Sequence, residues 1–101
     1  MTDTTGSETA LVRQMALTHK EFLRTLPAAS LGWERETAGS RMLLSRNGLR
    51  VEIRLGAQRE RRIGSLCLPQ TEVELRFIGL DEDVRSAFLR RFDLAYQRGG
   101  G

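Results

Sequence analysis

Apolar residues recur with two different periods along this chain, and the changes of period mark out a helix, a sheet and a second helix. In Thr18-His19-Lys20-Glu21 the threonine hydroxyl is placed to accept from the Glu21 amide while the glutamate reaches back to the Thr18 amide, which is a capping box. Leu17 and Phe22 flank it as a hydrophobic staple, and Phe22, Leu23 and Leu26 make one apolar stripe. Pro27 is expected to end this helix at or near Leu26, because the residue before a proline is pushed out of helical geometry.

From Gly32 the period becomes two. Gly32 to Glu36 reads as a first strand carrying Trp33, and Thr37 to Ser40 as a turn. Arg41 to Arg46 and Leu49 to Leu55 flank Asn47-Gly48, the dipeptide that most readily supplies two positive φ angles to a tight hairpin. Between Leu49 and Leu55 the alternation is complete, with Leu49, Val51, Ile53 and Leu55 facing inward and Arg50, Glu52 and Arg54 outward. Gly56 to Arg62 reads as a charged connection, Ile63 to Leu68 as a strand, Pro69-Gln70 as a turn and Thr71 to Ile78 as the last strand. In that strand Val73, Leu75 and Phe77 face inward, and Glu72, Glu74 and Arg76 outward.

The second helix starts at Asp81, where Glu82 and Asp83 complement the positive end of the helix dipole, and runs to about Arg98. Val84, Phe88, Leu89, Phe92, Ala95 and Tyr96 cover an arc of about 140°, and of the polar residues only Arg85 falls inside it. The pattern therefore predicts an α+β, two-layer domain: an N-terminal helix, an antiparallel meander of four or five strands and a C-terminal helix, with both helices on one sheet face. Residues 17–98 form this single domain, 1–16 a flexible leader and 99–101 a glycine tail. In the leader, Leu11, Val12 and Met15 support at most a marginal helical turn, and Met15 is a candidate alternative translation start, which intact mass of the native protein would decide.

At 101 residues, 40% hydrophobic and 29% charged, the chain has material for one core and is too apolar for a disordered segment. No apolar run approaches the length that spans a bilayer, and the first residues lack the apolar centre of a signal peptide, so a cytoplasmic, membrane-free protein is expected. The lone Cys67 agrees with a reducing compartment.

The net charge is +3, and fifteen of the sixteen basic residues are arginines. The positive excess sits between residues 41 and 76. There Arg59-Glu60-Arg61-Arg62 follows Gly56, with Arg50 and Arg54 leading in, so Arg50, Arg54, Arg59, Arg61 and Arg62 are the candidate anion or partner contacts. Glu60 and the carboxylates interleaved along the outward face favour a solvated loop as the plainer account. For nucleic acid, Phe22, Phe77, Phe88 and Phe92 all fall at inward positions, which leaves Trp33 and Tyr96 as the remaining stacking platforms.

His19 lies in the first helical turn, and Cys67, between Leu66 and Leu68, faces away from both. Glu52, Glu72 and Glu74 have arginine neighbours to pair with, and Asp81, Glu82 and Asp83 are accounted for by capping. No catalytic residue, metal site or cofactor is assigned, since neither ligand spacings nor nucleotide-binding glycine motifs occur. The expected function is a non-enzymatic protein-interaction or accessory role, through a protein partner or a homodimer, with Leu94 and Trp33 as interface candidates. Leu94 lies opposite the main helical stripe, and one of Leu43 and Leu44 is likewise left outside the simple core. The alternative is a basic nucleic-acid or anion-binding module using the Arg59 to Arg62 loop. A small ligand-binding protein or enzyme ranks last, because inward positions carry almost no polar groups.

Overall fold

A computed structural model describes residues 8–99. Their elements are β1 (Glu8–Met15), α1 (His19–Ala29), β2 (Glu34–Ala38), β3 (Arg41–Arg46), β4 (Leu49–Ile63), β5 (Leu66–Ile78) and α2 (Glu82–Gly99). The strands form one antiparallel sheet in the order β1-β5-β4-β3-β2, so β2 to β5 are a meander and β1 closes onto the far side of β5. The α+β architecture read from the pattern holds.

Helix α1 begins as its capping box requires: the Glu21 amide donates to the Thr18 hydroxyl at 3.0 Å, and the Thr18 amide donates to Glu21 Oε1 at 2.8 Å. Thr18→Ala should therefore lower stability by about 1 kcal/mol, read from a urea melt; an unchanged midpoint would show that the box is dispensable. The helix does not stop at Leu26 but runs through Pro27 to Ala29. Burial of Leu26, Ala29 and Ser30, with the Ser30 amide and hydroxyl both donating to the Leu26 carbonyl, outweighs the steric preference of a pre-proline residue. At the other end of the chain, the Val84 amide donates to Asp81 Oδ1 at 2.9 Å, the N-cap expected for α2.

The Asn47-Gly48 hairpin is present, with φ of 49° and 81° at its two residues. Around it Met42, Leu44, Val51, Ile53, Leu55, Val73, Leu75 and Phe77 point to one face and are buried. Both helices lie against that face: Phe22 and Leu26 of α1 and Phe88, Phe92 and Tyr96 of α2 join the same core. Phe92 is the hub of its aromatic part, with ring centroids 4.7 Å from Tyr96, 5.9 Å from Phe88 and 6.2 Å from Phe22. The Tyr96 hydroxyl donates to the Phe22 carbonyl at 2.8 Å, and burial raises its pKa above the ordinary tyrosine range.

Several boundaries depart from the pattern. Residues 8–15, which the pattern assigns to the leader, are β1; residues 1–7 lie outside the described residues. Leu11 and Met15 pack beneath the helices, while the inward Arg13 is bonded to Asp93 of α2. The first meander strand is Glu34–Ala38, shifted past Trp33, and its turn is Gly39-Ser40. Gly56 to Arg62 is strand rather than connection, and Pro69-Gln70 lies within β5 rather than at a turn. The true turn is Gly64-Ser65, with Gly64 at φ 61° and Ser65 at negative φ, the glycine-first geometry of a type II′ hairpin. Helix α2 extends to Gly99, so only residues 100–101 of the expected tail lie beyond the described elements.

Candidate interaction surface

The sheet is uneven in length because β4 and β5 outrun their neighbours. Past Leu55 and Val73 the pairing shifts register at Gly56 and Ala57 and resumes as six further pairs, from Gln58 opposite Thr71 to Ile63 opposite Leu66. At about 3.3 Å per residue this two-stranded ribbon reaches roughly 20 Å beyond the bulge. The molecule is accordingly 51 Å long against 28 and 25 Å in its other dimensions.

The base of the ribbon is fixed by hydrogen bonds to the start of α1, to the Leu17 carbonyl just before it and to β1. The His19 ring bonds the Gly56 carbonyl at the bulge at 2.6 Å, and the His19 amide donates to Gln58 Oε1 at 2.9 Å. Buried Thr71 donates to the Leu17 carbonyl at 2.8 Å, and Gln70 donates to Gln14 of β1. His19 thus has a structural partner in the sheet and is not the plain surface residue its position suggests.

Residues directly opposite in an antiparallel pair share a face. One face of the ribbon therefore carries Arg59, Arg61, Ile63, Leu66, Leu68 and Gln70, and the other Gln58, Glu60, Arg62, Cys67, Pro69 and Thr71. On the first face Ile63, Leu66 and Leu68 are 51, 60 and 38% exposed. Three large aliphatic side chains in one open stripe, with two guanidinium groups behind them, are the most conspicuous unpaired feature of the described surface. Cys67 is exposed on the opposite face from Leu66 and Leu68, as the alternation requires.

The five candidate arginines do not converge. Arg59 and Arg61 share the apolar face of the ribbon, Arg62 occupies its reverse, and Arg50 and Arg54 lie on the sheet body. Arg54 is 3.9 Å from Glu74, whose other oxygen is 3.7 Å from Arg76, which is in turn 3.4 Å from Glu8. These exposed pairs contribute about 0–1 kcal/mol each. A hollow of about 550 Å³ on this open face is ringed by Glu36, Arg41, Glu52, Arg54, Glu74 and Arg76, three charges of each sign, so it has no net preference for an anion.

Of the two interface candidates, Leu94 is exposed on α2 as its helical position implies. Trp33 is not available: it is 9% exposed and packs edge-on against Phe88, with ring centroids 5.5 Å apart. Leu44 is fully buried and Leu43 is the member of that pair on the open face. Sequence reasoning missed Ile63, Leu66 and Leu68, because alternation identifies a strand face without saying whether anything covers it. The signal that marks the ribbon is Gly64-Ser65 set between Ile63 and Leu66.

Among the described residues no group of three or more histidine, cysteine, aspartate or glutamate side chains is arranged to hold a metal ion. No described helix is long and apolar enough to cross a membrane. No family model, curated protein or solved structure matches the chain.

Proposed function

We propose that this chain is a non-enzymatic protein-interaction module whose contact element is the β4–β5 ribbon. The observation that supports it is the open Ile63, Leu66 and Leu68 stripe on a projecting ribbon, held at its base by His19, Thr71 and Gln58. An aliphatic stripe with adjoining arginines has the composition of an interface centre, and its complement is an apolar pocket edged by carboxylates. Residues 56–70 hold three arginines and one glutamate, so charge reinforces that choice of partner. The module works in the cytoplasm on this reading, where an exposed Cys67 stays reduced.

Quantitative affinity capture from the native cell, comparing the parent chain with Ile63→Ser/Leu66→Ser/Leu68→Ser, tests the reading. The altered side chains are open to solvent, so the melting temperature should move little while the proteins held by the parent are lost. Identical captured sets at identical yield would overturn it.

A second reading follows from the same ribbon, since a two-stranded β-ribbon fits the DNA major groove and this one bears Arg59, Arg61 and Arg62. It requires oligonucleotide affinity that falls steeply with salt and is lost on Arg→Ala substitution at all three positions. Retained binding in that variant would dismiss it.

A further inference from the structure

We propose that a second copy of this chain pairs along the free edge of β1, continuing the sheet across a two-fold axis. This surface is distinct from the ribbon, and the inference does not depend on the ribbon's partner. Among the described residues both outer strands of the sheet, β1 and β2, leave one side of their backbone unpaired. Such an edge is a template for another strand unless its side chains oppose pairing.

The two edges differ in how they treat a copy of themselves. A two-fold pairing that keeps all helices on one side matches residues pointing to the same sheet face, so the axis must pass through a residue paired with its own copy. For β2 the register that pairs all five residues sets Glu36 against Glu36. Centring on Arg35 sets Arg35 against Arg35 and Glu34 against Glu36, and centring on Thr37 runs into the Gly39-Ser40 turn after three residues. Like charges placed directly opposite are destabilising, so β2 is defended against its own copy.

For β1 the register centred on Leu11 has no such conflict. It sets Leu11 against Leu11, Ala10 against Val12, Thr9 against Arg13 and Glu8 against Gln14, apolar with apolar and polar with polar, over seven residues. Arg13 enters that arrangement already paired with Asp93. Val12, 54% exposed on the open face, would be covered by Ala10 of the second copy. Matching of this kind along a whole strand is what an isologous interface needs.

The test is the mass in solution, by sedimentation and light scattering from micromolar to millimolar concentration. The parent chain should rise from 11.4 kDa to twice that value. Ala10→Glu/Val12→Glu sets carboxylates against each other across the axis and should abolish the dimer. Ala10→Glu/Val12→Lys makes the same two pairs complementary and should keep it. Within one copy, position 10 faces Arg76 and position 12 faces Glu74, so the Glu/Lys variant also suits its own sheet. A parent chain that stays at 11.4 kDa throughout, or an Ala10→Glu/Val12→Glu protein that still dimerises, overturns the proposal. Loss of the dimer in Ile63→Ser/Leu66→Ser/Leu68→Ser would overturn it too, by placing the contact on the ribbon.

Discussion

Phe92→Ala should destabilise the domain by about 3–5 kcal/mol, a large share of the roughly 5–15 kcal/mol that holds a native domain together. Phe92 is fully buried and touches the rings of Phe22, Phe88 and Tyr96, which come from both helices. Truncation removes its own apolar surface and opens a cavity that these rings, held on two packed helices, collapse into only partly. Tyr96 is further constrained by its hydrogen bond to the Phe22 carbonyl, so the helix pair loosens as a unit. Urea unfolding followed by far-ultraviolet circular dichroism measures the loss. Leu94→Ala, on the exposed side of the same helix, is the control and should move stability by no more than about 0.5 kcal/mol. A loss below about 1 kcal/mol for Phe92→Ala would mean that the rings do not pack as described.

Deleting residues 1–14, so that the chain starts at Met15, should make the protein aggregate faster than the parent chain. The deletion removes all but the last residue of β1, and with it the partner of β5 from Glu72 to Ile78. Leu11 no longer covers its part of the core, and Asp93 loses Arg13. The exposed β5 edge would then present Val73, Leu75 and Phe77 beside unpaired backbone groups, a template for intermolecular strand pairing. Light scattering over time, with hydrogen exchange at Glu72 to Ile78, reads both consequences. A truncated protein that remains clear, with those amides still protected, would show that β1 is not an integral strand. The same experiment bears on Met15 as a start codon, because a product beginning there lacks β1; intact mass of the native protein identifies which chain is made.

The open stripe of the ribbon is less legible than the core for a specific reason. Ile63, Leu66 and Leu68 share one ribbon face only through the pairing across Gly64-Ser65, whereas Val51, Ile53 and Leu55 alternate along one strand, and only the second set joins the core. Arg59 to Arg62 reads as a loop because four consecutive charged residues suit solvent, but in a ribbon with water on both faces such a run is equally acceptable. Trp33 errs in the other direction: it stands alone before a short charged strand, and nothing local announces that Phe88, fifty-five positions later, will receive its edge.

Local chemistry settled those parts of the architecture where neighbouring residues interact with one another. The Thr18 box, the Asn47-Gly48 hairpin, the Asp81 cap, the inward sets of the central strands and the apolar arc of α2 all follow from contacts or spacings within a few residues. Long-range pairing settled the rest. β1 is a strand because β5 offers it a ladder and Asp93 neutralises its inward Arg13, and α1 passes Pro27 because Leu26 and Ala29 are buried. In each case the deciding free energy comes from groups distant along the chain, which a reading of periodicity does not weigh.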